Sequence, residues 1–156
     1  MKAAVIGIVA GLSILAGPAM AETLVSGSAT VIAPGQLMVG GKAVQLDDVR
    51  MPGPKATCSE WRGQRQVAFA CNEHAEAFLK SLIAGRDVSC VARDGGIGTC
   101  YADGKDLAAT LVTAGWASGC GQTTRYVDLE VAARNARHGM WAGNFTLDTQ
   151  CPAPVK

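Results

Sequence analysis

The chain has 156 residues, 49% of them hydrophobic and 17% charged, which is the composition of one globular domain with a core of its own. Its 14 basic and 13 acidic residues nearly cancel, and they balance once Lys2 is set aside. Such a chain has no long-range field to gather polyanions, which argues against a dedicated nucleic-acid coat protein while leaving a local basic patch open.

Residues 1–21 read as a secretory signal. Lys2 is a minimal positive start, Ala3 to Leu15 is an apolar run, and Ala19-Met20-Ala21 is an A-x-A cleavage site. The alternative is a retained N-terminal anchor, but the run is short and Ala/Gly-rich for a membrane span. The expected mature chain, residues 22–156, is a single domain with a core at about 26–146 and a tail at 147–156. It is exported, periplasmic or secreted, with no membrane span after cleavage. A monomer is expected.

Residues 23–51 read as a β-meander. Ser28 to Ala33 is one strand, broken by Pro34-Gly35 from a second at Gln36 to Val39. Gly40-Gly41-Lys42 turns into a third, Ala43 to Val49. Pro52-Gly53-Pro54 opens a loop through Cys58 and Trp61. Gly63 to Ala84 is the longest helical stretch, with Cys71, Ala75, Phe78 and Leu82 on one face and Gly85 as its stop. Lys80 and Arg86 suit the negative end of its dipole.

Asp87 to Arg93 alternates as a strand. Asp94-Gly95-Gly96 turns it, and Ile97 to Tyr101 returns. Asp106 stands where an N-cap belongs, ahead of Leu107, Leu111 and Val112, and Gly115-Trp116-Ala117 closes that helix. A Gly-rich link follows, Ser118 to Gln122. Thr124 is the expected cap of a third helix running to about Arg137, ended by Gly139. Trp141 and Phe145 anchor the tail, which is held, if at all, by Cys151.

Cys58, Cys71, Cys90, Cys100, Cys120 and Cys151 are an even set in an exported chain, which reads as three disulfides. Fifteen connectivities are formally open. Cys90 and Cys100 fall on the two arms of the hairpin. Cys58 and Cys71 flank a short loop into the helix, which leaves Cys120 with Cys151. A metal site is the alternative, but no C-x-x-C spacing is present and there are only two histidines.

The order of elements resembles the staphylococcal-nuclease-like (thermonuclease) family over nearly the whole mature chain. Val31-Ile32 with Leu37 resembles the family's first barrel turn. Val44-Gln-Leu-Asp-Asp-Val-Arg-Met-Pro52 resembles its third strand and Pro loop, and Leu82-Ile-Ala-Gly-Arg-Asp-Val88 its helix exit. The most specific match is Cys100-Tyr-Ala-Asp-Gly-Lys-Asp-Leu-Ala108 with Leu111-Val-x-x-Gly-Trp-Ala117. Tyr126-x-x-x-Glu130-x-x-Ala133-Arg134 and Gly139-Met-Trp-Ala-Gly-Asn-Phe145 complete it. The resemblance implies an α+β fold, a five-stranded OB-type β-barrel packed with about three α-helices. Cys58, Cys71, Cys90 and Cys100 also resemble the cysteines of exported bacterial members.

The family's chemistry does not carry over. Active members hold Ca2+ through acids in an Ile-Asp-Gly-Asp-Thr type turn; here Ala33 and Gly35 replace both. A strand arginine becomes Gln45. The Asp-x-Pro-Glu stretch, which supplies a metal ligand and the presumed general base, reads Arg50-Met51-Pro52-Gly53. The second catalytic arginine's loop is shortened, with Gly95 in its place. Calcium needs several convergent oxygens, and phosphoryl charge needs a metal or guanidinium aimed at it. The family positions Gln45, Arg50, Gly53 and Gly95 are therefore expected to be catalytically empty, and Ala33, Gly35 and Arg50 to hold no metal.

Asp47 and Asp48 are the substitute ligands a rebuilt site would use; the plainer reading is a solvated strand end in which at most one faces a site. Arg50, Arg62 and Arg65 are candidates for binding an anion, against an ordinary surface role. His74 and His138 read as structural or solvated, without a triad partner. Trp61, Trp116 and Trp141 read as packing anchors, with Trp61 a stacking platform as the alternative. The expectation is an exported nuclease-like domain, catalytically degenerate, acting as a binding or accessory module without a resident cofactor. Its rival is a divergent nuclease of nucleic acid with a rearranged site using Asp47 or Asp48. The sequence names no partner.

Overall fold

The structure, a computed structural model, describes residues 21–153 apart from 94. The expected signal segment lies outside these residues except for Ala21, as do Asp94 of the expected turn and the last three residues of the tail.

The elements run in chain order as β1 (Thr23–Ala33), β2 (Gln36–Val39), β3 (Lys42–Leu46), β4 (Val49–Arg50), β5 (Thr57–Arg62) and β6 (Arg65–Phe69). Helix α1 (Cys71–Ile83) follows, then β7 (Asp87–Arg93), β8 (Ile97–Ala102), β9 (Lys105–Asp106) and α2 (Leu107–Thr113). The chain ends through β10 (Ser118–Gly119), α3 (Val127–Asn135), a 3-10 turn (Gly139–Ala142) and β11 (Phe145–Thr146). The fold is α+β: a mostly antiparallel six-stranded sheet ordered β3-β2-β1-β7-β8-β9, with three α-helices. Strand β8 also pairs with β3, in parallel, at Gln45↔Ile97 and Leu46↔Gly98. Two small sheets, β10-β4 and β11-β5-β6, stand beside it.

One core lies against the large sheet and is filled by Leu37, Val44, Leu46, Met51, Leu79, Leu107 and Leu111. Each is essentially inaccessible to water, where burying such a side chain contributes about 1.5–3 kcal/mol. A second, smaller core gathers Met140 and the Cys58–Cys71 bridge under Phe69, Trp116, Trp141 and Phe145. The other bridges join Cys90 to Cys100, directly opposite each other in the β7–β8 register, and Cys120 to Cys151.

The structure departs from the sequence reading where a short-range pattern misleads. The first strand begins at Thr23 rather than Ser28, because residues 23–28 pair along β7. Gly63 to Ala70 is not helical. Gly63, at φ 65°, turns β5 into β6, and Glu60↔Val67 and Cys58↔Phe69 face each other across a hairpin. Arg65, Val67 and Phe69 alternate with Gln66 and Ala68 at period two, and the helix starts only at Cys71. Cys58 and Cys71 thus close the base of a hairpin rather than flank a loop. The buried stripe of α1 is Cys71, Ala75, Leu79 and Ile83; Phe78 and Leu82 sit at its margin.

The third strand ends at Leu46, because Asp48 at φ 54° bends the chain before β4. The Gly-rich link after Trp116 contributes β10, paired with β4. Helix α3 begins at Val127 with no side-chain cap; Thr124 accepts from Val127 N through its backbone oxygen. It stops before Gly139. His138 N bonds Ala133 O at 3.0 Å and Arg137 N bonds Arg134 O at 3.1 Å, a Schellman ending with Arg137 in the left-handed position. Gly139 serves another purpose: a Cβ there would stand 2.3 Å from Gly115 O, and one on Gly115 would stand 2.2 Å from His138 O. The two glycines let the end of α2 and the turn after α3 cross in contact.

The expected cap of α2 is in place, with Asp106 accepting from Ala109 N at 3.1 Å. Arg86 caps the far end of α1, donating to Ser81 O and Leu82 O.

Candidate functional site

Two of the positions that the nuclease resemblance singles out, Ala33 and Gly53, line one cleft. Pro34 stops β1, and Met51-Pro52-Gly53-Pro54 runs past it without donating a regular ladder. Helix α1 supplies the third wall with Asn72 and Glu76. The cleft between them has a volume of about 280 Å³, and its remaining lining is Val31, Ile32, Ala33, Pro34, Met51 and the two prolines of the loop. Its one carboxylate, Glu76, is held by Lys80 Nζ at 2.6 Å one turn along the helix. A calcium ion set here would face one paired carboxylate and an amide among alkyl groups, a poor match to a hard cation.

The neighbouring polar groups are engaged by the protein itself. Gln45 Nε2 donates to Gly35 O at 3.1 Å, so the side chain at the family's arginine position ties down the β1–β2 turn. A Cβ on Gly35 would come within 3.0 Å of that nitrogen. At Gly53 a Cβ would lie 2.6 Å from Asp148 Oδ1. Asp148 occupies that space because Gly53 N and Lys55 N donate to its two oxygens at 2.8 and 2.7 Å. Thr149 Oγ1 adds a bond to Met51 O at 2.6 Å. The tail is therefore clasped onto the proline loop by side chains, not only by Cys151. Partial desolvation of the Asp148 carboxyl is outweighed by the backbone donors of Lys55 and Gly53, which hold its pKa below the ordinary carboxylate value.

Asp47 and Asp48 are not a solvated strand end. Asp47 is ion-paired with Arg93. Asp48 is 3% exposed and accepts from Gln122 N at 3.1 Å, Thr123 N at 3.2 Å and the Thr123 hydroxyl. It organises the link between β10 and α3, as buried carboxylates do when surrounded by donors. Neither acid is directed to a shared ligand, and among the described residues no group of three or more His, Cys, Asp or Glu is placed to hold a metal ion.

The three candidate arginines are divided. Arg50 lies on β4 opposite Ser118, with its Nε buried and unpartnered among the described residues. Arg62 and Arg65 face each other beside the hairpin turn in another sheet, and Arg62 pairs with Glu60 at 2.6 Å. Gly95 is an exposed turn residue with open space around it. Trp61 is 54% exposed rather than packed. Trp116 and Trp141 both pack on the smaller core. His138 Nδ1 lies 3.3 Å from Thr113 O, and His74 stacks on Trp116 at a ring separation of 5.7 Å.

Two groups escaped the sequence reading. Asp148 lies 95 residues from Gly53, and nothing in Leu147-Asp148-Thr149 marks a capping residue for a distant loop. Arg125 joins Thr99, Tyr101 and Asp106 through its guanidinium, and Tyr126 OH donates to the same Asp106 oxygen at 3.2 Å. Burial, and then the negative charge of Asp106, push the Tyr126 phenol well above its ordinary pKa. An Asp N-cap followed nineteen residues later by Arg-Tyr is too common a pattern to announce this cluster. No protein-family model matches the chain, and no curated protein matches it significantly.

Proposed function

We propose that this chain is an exported, staphylococcal-nuclease-like domain that no longer performs phosphodiester chemistry and acts as a binding or accessory module. The pairings β1–β2, β2–β3, β1–β7, β7–β8 and β3–β8 run in a ring, which supports reading the large sheet as a five-stranded OB-type barrel. Three disulfides fit an oxidising compartment, periplasmic or extracellular.

The observation that carries the proposal is that the polar groups beside the cleft are bonded to the chain itself. Asp148 fills the space a side chain at residue 53 would need, and Gln45 closes on Gly35. Loss of one oxyanion-type donor commonly costs about 10²–10³ in rate. Here the acids, both guanidiniums and the base are replaced together, so little catalysis should remain even though such losses do not add.

The rival reading, a divergent nuclease, has Asp47 or Asp48 as its acid. Their engagement with Arg93 and with the Gln122–Thr123 backbone weighs against it. Calcium titration calorimetry on the purified protein, beside a DNA and RNA cleavage assay with and without chelator, tests the proposal. No calcium heat and no cleavage are expected. Chelator-sensitive cleavage that is lost in Asp47→Asn or Asp48→Asn would overturn it in favour of the rival.

A further inference from the structure

A cavity larger than the cleft at the proline loop lies elsewhere on the molecule. It has a volume of about 460 Å³ and opens between the β5–β6 hairpin, α1 and the turn after α3. That size falls within the roughly 300–1,000 Å³ of small-molecule sites. Its aromatic wall is a mutual cluster. His74 lies nearly parallel to Trp116, with 18° between planes, and Phe69 meets both at 6.0 and 6.5 Å between ring centroids. Facing these rings are Arg62, Arg137 and His138. The one acid in the lining, Glu60, is already paired with Arg62.

Arg137 differs from Arg62, the other arginine of this lining. Among the described residues its guanidinium forms no ion pair. Its backbone is held at φ 54°, at the helix-ending position where glycine is the usual choice. The fold thus keeps a cationic side chain where backbone energetics alone would select a residue without one. The placement is rigid, since the crossing of Gly115 and Gly139 fixes the turn that carries Arg137 and His138 against Trp116, with Met140 N bonded to Gly115 O at 3.0 Å.

From this geometry we infer a second binding site, separate from the proline-loop cleft, for a small organic anion carrying a planar ring. The ring would lie against the Phe69–His74–Trp116 cluster, and the anionic group would meet Arg137 with His138 beside it. Ring stacking and a charge-assisted hydrogen bond are the two contributions such a wall can make. The inference does not rest on the nuclease-like reading and would stand if that reading failed.

Calorimetry on the purified protein tests it with four probes. Adenosine 5′-monophosphate and indole-3-acetate each carry a ring and an anion; adenosine has only the ring, and inorganic phosphate only the anion. At least one of the first two is expected to bind about tenfold or more tighter than either partial probe. Preference for the monophosphate assigns a phosphate, and preference for indole-3-acetate a carboxylate. Arg137→Gly is the deciding variant because it relieves the positive φ. It should fold, raise Tm, and still bind about tenfold more weakly. Saturable binding of neither ring-bearing anion overturns the inference. So does adenosine or phosphate binding as tightly, or undiminished binding by Arg137→Gly.

Discussion

The two concave surfaces of this molecule differ in what their polar groups are doing. At the proline loop three polar side chains are engaged by the chain: Gln45 by Gly35, Asp148 by Gly53 and Lys55, Glu76 by Lys80. At the hairpin cavity the aromatic rings pack on one another, and the Arg137 guanidinium forms no ion pair among the described residues. A hydrogen bond made internally is a net stability term of about 1 kcal/mol, whereas a cation without a protein partner has only its hydration to exchange on meeting a ligand. Volume alone would not separate the two; the state of the donors and acceptors does.

Removal of the Cys120–Cys151 bridge should have the largest effect on this contrast. It closes a 31-residue separation, for which the chain-entropy account gives about 3–4 kcal/mol. The double variant Cys120→Ala/Cys151→Ala should lower stability by that order in chemical denaturation and loosen Asp148. Ligand binding at the hairpin cavity should survive, and its loss would show that the surfaces are not independent.

Asp48→Ala comes next. It strips the acceptor from Gln122 N and Thr123 N in a buried site, costing about 2–4 kcal/mol. Calcium affinity, by contrast, should not change, because the carboxylate serves the fold. Gly53→Ala should cost about 2–5 °C in Tm by displacing the Asp148 carboxylate. The penalty should shrink in an Asp148→Ala background, a non-additivity that a thermal melt series would read directly.

Tyr126→Phe is the smallest, about 1 kcal/mol at neutral pH for the lost bond to Asp106, and its distinctive signature lies in alkali. The folded protein holds the Tyr126 proton more tightly than the unfolded chain does. Stability is therefore intact below about pH 10, the ordinary phenol value, and falls as pH rises beyond it. Denaturation midpoints across that range should decline less steeply in Tyr126→Phe.

What could be read in the sequence was what the chain decides locally. Asp106 caps α2 three residues away, Gly115 ends it, and the Gly40-Gly41 turn joins β2 to β3, all within a few peptide units. The α+β class follows from those elements. Misreadings arose where local pattern and tertiary pairing competed. Residues 63–70 look like the approach to a helix until Phe69 is seen facing Cys58 across a ladder. Asp47-Asp48 looks like a strand end until the backbone of residues 122–123 arrives to claim one carboxylate. For the cleft, the sequence offered only the nuclease resemblance and the acids and arginines that this chain lacks beside it. The partners that hold the loop were not legible, since Asp148 reaches Gly53 from 95 residues away, and Arg137 is brought to the same cavity as Trp116 beside the glycine crossing.

The clasp of the tail has a further consequence. Asp148 is exposed to water, where two hydrogen bonds to backbone amides would not by themselves hold a free peptide. But Asp148 stands three residues from the covalent anchor at Cys151, so its carboxylate meets Gly53 and Lys55 as a tethered group. A short tether sets an effective concentration on the order of millimolar or above, whatever the protein's own dilution. The bridge thus acts twice: directly by shortening the unfolded chain's reach, and again by tightening the tether on a weak contact that the paired strand β11 already holds from the other side.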